Sequence, residues 1–260
     1  MIFIMKYVNS FCHPQKLFFF DYIRFMNRLL LFFSLLIGKA ALSQSVTLTL
    51  THEVNHQAMR ANKTYYTAQG DTFTITKFKY YLSNFSFTDE LGQVLTLSPE
   101  YFLVSEDSIA SKKIVLTGLP LGRFKAISFM IGVDSIMNCT GAQSGALDPV
   151  YGMFWTWNSG YIMAKLEGTS PASRLPGHAL QFHIGGYRGA HQSQRIVQLP
   201  VPFEVSAEKT AAINLVADAG TWFNGPNPIR FSETAGFMTP GMIGDRIADN
   251  YSHMFSIKMK

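Results

Sequence analysis

Ser45-Val46-Thr47-Leu48-Thr49-Leu50-Thr51 places a large aliphatic side chain at every second position, with hydroxyl residues between. A strand turns successive side chains to opposite faces, so this spacing predicts an extended segment with one buried and one wetted face. The same period returns in Thr72-Phe73-Thr74-Ile75-Thr76. Further β-rich runs cover 78–87, 94–97, 101–104, 114–116, 124–133, 161–166, 179–184, 195–201, 211–216 and 254–257. Gln69-Gly70-Asp71, Asp89-Glu90-Leu91-Gly92, residues 118–122 and Gly185-Gly186 supply the turns. Many short strands and few helical stretches predict an all-β fold, an antiparallel β-sandwich with long loops and at most short helices.

Three segments, 134–160, 168–178 and 218–250, lack the period, and the last offers a short helix near 241–250. Long loops on a β scaffold are where sites usually lie. The first of them holds the densest aromatic stretch after residue 44, Gly152-Met153-Phe154-Trp155-Thr156-Trp157-Asn158-Ser159-Gly160-Tyr161. If extended, it puts Met153, Trp155 and Trp157 on one face. Two readings stay open there: a core strand with large anchors, or an oxidisable, ligand-stacking surface.

The histidines beyond residue 44 are His52, His56, His178, His183, His191 and His253. His52 ends the opening strand and His56 lies four residues on. Alternation in Phe182-His183-Ile184 turns His183 away from its apolar neighbours, and Gly185-Gly186 after it permits close approach of backbone to a ligand. There is no H-E-x-x-H, C-x-x-C, G-x-S-x-G, P-loop or G-x-G-x-x-G motif. A metal site would have to gather histidines from separate strands. Asp134 is expected to cap a turn, and Asp134, Asp148 and Glu167 are the acidic residues a hydrolase would draw on.

Residues 1–43 carry Lys6, Lys16, Arg24, Arg28 and Lys39 against Asp21 alone, so most of the net charge of +5 lies there. The remainder is nearly neutral and has no electrostatic footprint for nucleic acid. Met26-Asn27-Arg28, the apolar run 29–37 and Ala41-Leu42-Ser43 have the three-part anatomy of a secretory signal peptide, too short to span a membrane comfortably. Residues 1–43 are therefore expected to be an N-terminal extension plus leader, with translation starting at Met26. Residues 44–260 are expected to form a single exported domain with no membrane span after cleavage. Cys139 is then the one remaining cysteine, which leaves no partner for an intrachain disulfide.

Five blocks occur in order: Phe78-Lys79-Tyr80-Tyr81-Leu82-Ser83-Asn84; Gly132-Val133-Asp134-Ser135; Gly145-Ala146-Leu147-Asp148-Pro149; the aromatic stretch with Leu166-Glu167-Gly168; and Phe182-His183-Ile184-Gly185-Gly186. Together they resemble the MbnP-like family, periplasmic copper-binding proteins associated with methanobactin systems. The resemblance implies copper on an exported β-sandwich. It also implies a dihaem peroxidase-like redox partner that oxidises a tryptophan to kynurenine beside histidine ligands. Carried over by motif, His183 is the first ligand candidate and His52 the second. Trp155 or Trp157 is the residue to be modified, with Met153 and Tyr161 lining the site. The expectation is that His52 and His183 converge beside one of these indoles, in a copper-binding protein that is not an enzyme. A cell-surface interaction or glycan-binding module without metal is the alternative.

Overall fold

The computed structural model describes residues 44–258 apart from Ser159 and Lys209, so the leader expected in residues 1–43 lies outside the described residues. The opening strand β1 (Gln44–Val54) buries Val46, Leu48, Leu50 and Val54, as its period requires. It folds back through Asn55-His56 into the short β2 (Gln57–Ala58). The longest strand, β3 (Thr72–Asp89), is followed by β4 (Tyr101–Ser105), β5 (Lys113–Leu119) and β6 (Gly122–Ile131). Beyond the first irregular segment come β7 (Phe154–Trp155), β8 (Gly160–Thr169) and β9 (Ala179–Gly185). Then follow β10 (Arg195–Val205), β11 (Ala211–Asp218) and, near the end, β12 (Phe255–Ile257).

Two sheets result. The smaller runs β12-β11-β1, with β5 and β2 on the other edge of β1; the larger runs β10-β6-β3-β8-β9. Their facing sides enclose the main core, to which β1 gives Val46, Leu48 and Leu50 and β3 gives Phe78, Tyr80 and Leu82. Asn84, with φ 51, marks a bulge where the β3–β6 register shifts, so that Phe85 and Phe87 face inward after it.

Most ladders are antiparallel, but β1 and β11 run parallel, from Val46↔Ala211 to Glu53↔Asp218. A parallel neighbour needs a long crossover, and here nearly the whole large sheet lies between the two strands in the chain. Alternation reports which face is buried and says nothing of partner direction, which is why the sequence suggested only antiparallel pairing.

The large sheet also carries a covering on its outer face. Tyr81, Val133, Leu147, Met153, Trp155, Tyr161, Ile162, Met163 and Tyr187 form a second apolar cluster there. Strand β8 is consequently buried on both faces from Gly160 to Leu166. In the covering segment, Asp134 caps a short helix α1 (Ser135–Cys139) by accepting the Met137 N–H, so it begins a helix and does more than end a strand. Beyond β11 lie α2 (Thr221–Asn224) and α3 (Met242–Tyr251), the latter within two residues of the expected helix. Among the described residues no helix is long and apolar enough to cross a membrane.

Candidate functional site

His183 stands where alternation put it. Phe182 and Ile184 enter the core, and the imidazole sits half-buried on the outer face. Its Nε2 donates to Glu167 Oε1 at 2.8 Å, and Lys77 donates to the other carboxylate oxygen at 2.9 Å. Lys165, in register beside His183, donates its ammonium to the Gly152 carbonyl. Burial first, then the Lys165 charge, pushes the His183 imidazole below its ordinary value, against the opposing pull of Glu167. Lys165 and Lys77 thus act on this ring with the same sign as a metal ion. The outer face is a poor seat for a cation.

The shift has a consequence for stability. An unfolded imidazole takes up a proton below its ordinary pKa of 6.5, while the folded one stays neutral to lower pH, so stability falls between those two values. Burial would raise Glu167, but hydrogen bonds from Lys77 and His183 hold it below 4.5, so the loss continues in more acid solution. Thermal melts from about pH 7.5 to about pH 5 should fall less steeply in His183→Gln, by at most ~1.4 kcal/mol per pH unit, the limit for one proton. An unchanged acid slope in that variant would remove His183 from the account.

Trp155 lies on the same face as His183. A Cβ built on Gly185 would meet the Trp155 ring at 2.7 Å, so the absent side chain of the H-I-G-G block is the space the indole fills. Gly185 is two residues past His183 on one strand, which places both on one side of the sheet. Trp157 packs on Trp155 with ring centroids 5.4 Å apart, but is 62% exposed where Trp155 is 5% exposed. Met153 and Tyr161 are fully buried beneath the loop. The Tyr161 hydroxyl donates to Leu147 O at 3.1 Å and accepts the Gln143 N–H at 3.0 Å, so it anchors that loop.

His52 faces the other way. It sits between the sheets, edge-on to Phe78 and Tyr80 of the inner face. Its Nδ1 is 2.6 Å from Glu106 Oε2 and its Nε2 2.9 Å from the Tyr80 hydroxyl. The carboxylate requires a donor at Nδ1, which leaves Nε2 to accept from Tyr80. A metal at Nε2 would orphan a buried phenol at a cost of about 1–3 kcal/mol. His52 and His183 occupy opposite faces of the large sheet, and the expected meeting of the two beside an indole does not occur. Alternation sends His183 outward, while the inward period of β1 carries His52 into the core.

The acidic residues named for a hydrolase are likewise occupied. Asp134 and Asp148 each accept a backbone N–H at a helix start, and Glu167 is held by Lys77 and His183.

The arrangement best suited to a cation lies elsewhere, at the end of the small sheet. In the two-residue turn between β1 and β2, Asn55 and His56 have φ 52 and 62, the left-handed pair of a type I′ hairpin. Glycine is the favoured second residue of that turn, and a histidine there costs about 1 kcal/mol. Asp218, at the end of β11, holds the turn: Oδ2 accepts the His56 N–H and Oδ1 the N–H groups of Asn55 and Gly220, each at 2.8 Å. Gly220 comes so close that a Cβ on it would lie 2.1 Å from Asn55 Oδ1.

Parallel register sets Glu53 beside Asp218. The ligand atoms of Glu53, His56 and Asp218 lie within 4.8 Å of one another. His56 Nδ1 is 3.6 Å from Asp218 Oδ2, and its side chain is 96% exposed, so it is free to turn. Donors around a tetrahedral ion with bonds near 2.1 Å are separated by about 3.4 Å, a contraction within reach of a mobile imidazole. Among the described residues the cation paired with this corner is the exposed Lys258 ammonium, 3.9 Å from Glu53 Oε1, a weak surface pair. One imidazole and two carboxylates suit a divalent first-row transition-metal ion. Neither Trp155 nor Trp157 lines the pocket at this corner.

Sequence reasoning counted His56 and passed over Glu53 and Asp218. One local signal was present: Asn-His at a turn position that favours Asn-Gly.

No curated protein matches this chain. A search of solved structures finds MbnP from Methylosinus trichosporium, 15% identical, with a TM-score of 0.54, covering 83% of this chain and 98% of that one. At that identity the likeness shows the fold. The sequence profile described as MbnP matches residues 43–240. With the greater part of its length matched by that profile, the chain belongs to the MbnP family.

Proposed function

We propose that this protein is an exported copper-binding protein that captures or handles the metal without turnover of its own. The observation that carries the reading is the convergence of Glu53, His56 and Asp218 at an open corner, in a chain of the MbnP family. These residues would hold the ion, and copper tops the divalent affinity series for such donors. Asp218 also fixes the backbone of the turn that presents His56, so only the ring has to move when an ion arrives.

Oxidative maturation belongs to the same proposal but to a different place. Trp157 offers an exposed indole to a dihaem peroxidase-like partner, and Trp155 lies in contact behind it. With peroxide as the partner's oxidant, tryptophan and two H2O2 would give kynurenine, formic acid and water. The net exchange of one carbon for one oxygen is what the intact mass of protein from its native source would reveal. Because neither ring lines the corner, copper binding there does not wait on that step. The alternative, a glycan-binding surface, is favoured by the exposure of Trp157 and Tyr151, 62% and 47%.

Copper titration of the metal-free protein separates these readings. Wild type should retain one equivalent. His56→Gly should weaken binding at least tenfold while leaving thermal stability unchanged or raised, since glycine relieves the left-handed strain by ~1 kcal/mol. Wild type that holds no more copper than its denatured chain would sink the proposal.

A further inference from the structure

We propose that His253 is the fourth donor of the corner, which makes it a two-nitrogen, two-carboxylate site for Cu(II); this rests on the copper reading above. An open pocket of about 380 Å³ is lined by Glu53, His56 and Asp218 and also by His253, Met254 and Ser256. The chain brings His253 there by a specific contact. The Asp218 N–H donates to the Met254 carbonyl at 2.8 Å, so His253 directly precedes the residue paired with a corner ligand. The His253 N–H bonds Asn250 O at the end of α3, which fixes the backbone from which the ring projects.

The His253 side chain is exposed, and among the described residues none bonds its ring, so it can swing without breaking a buried interaction. The three nearer donors leave a divalent ion short of the four-coordinate shell that imidazole and carboxylate sites prefer. Two anionic oxygens balance the charge of Cu(II), and two neutral imidazoles meet its preference for tetragonal nitrogen and oxygen ligands. Cu(I), which favours thiolate and thioether, gains little from two carboxylates. Met254 is 1% exposed and belongs to the core, so its sulfur is not counted among the donors.

The test is electron paramagnetic resonance of the full exported protein, stripped of metal and loaded with one equivalent of Cu(II). The expected spectrum of wild type shows hyperfine coupling to two nitrogens. His253→Asn should show one, with copper affinity down about tenfold and an unchanged melting temperature of the metal-free protein. A one-nitrogen signal in wild type, or a two-nitrogen signal that persists in His253→Asn, overturns the assignment of His253 while the corner survives as a copper site. Absence of bound copper in wild type overturns both.

Discussion

Gly168→Ala should cost about 3–5 kcal/mol of stability, a large share of what a domain ordinarily has. The cause is backbone meeting backbone. A Cβ at position 168 would lie 1.9 Å from the Thr74 carbonyl oxygen, 2.9 Å from its carbon and 3.2 Å from Ile75 Cα. Those atoms belong to β3, which ladders with β8 here, and the register shifts between Glu167 and Gly168. A flexible side chain could step aside; a strand paired along its length cannot do so without opening the ladder. Thr169→Ala makes a suitable control, because that residue is exposed and its hydroxyl contact with Thr74 is worth about 0.5 kcal/mol. Denaturant unfolding of both variants decides the matter. A Gly168→Ala loss below about 1 kcal/mol would mean that β3 and β8 separate at little cost.

Gly168 also illustrates what the sequence made legible. It was visible as part of an ordered set of blocks, but the physical need for a glycine there depends on the Thr74 backbone, 94 residues away. Alternation at Val46, Leu48 and Leu50, and again at Phe73 and Ile75, identified buried faces, because burial on a strand follows a local period. The outward turn of His183 followed from the same rule. What alternation lacks is a partner. It could not set β1 parallel to β11, and so could not place Glu53 next to Asp218. The copper ligands expected from sequence were chosen by motif, and motif followed the interlock of Trp155 with Gly185, which is a packing feature. The proposed donors come from four points, 53, 56, 218 and 253. It takes the β1–β11 register, the β1–β2 turn and the Asp218–Met254 hydrogen bond to bring them to one corner. His56 showed one local sign, an imidazole in a turn that favours glycine.

Asp218 joins this register to the turn, so its removal should be felt twice. In Asp218→Ala, three N–H groups lose a carboxylate acceptor at once: Asn55, His56 and Gly220. Hydrogen bonds to a charged group are each worth roughly 1.5–3 kcal/mol, and water at this open corner replaces part of that, so a net loss near 3–4 kcal/mol is expected. The left-handed Asn55-His56 pair then has less to hold it, and the β1–β2 hairpin and the start of α2 loosen together. Asp218→Asn keeps one oxygen and should retain a good part of the stability, yet its amide nitrogen cannot ligate a metal, so copper affinity still falls. Copper at a hundredfold excess over its dissociation constant should stabilise wild type by about 2.7 kcal/mol and Asp218→Ala hardly at all. His56→Gly provides the contrast, losing copper while keeping the fold, because it removes a ligand and leaves the carboxylate that supports the turn. If Asp218→Ala melted like wild type and still gained from copper, the carboxylate would hold neither the hairpin nor the ion. The corner would then be a chance meeting of three polar side chains.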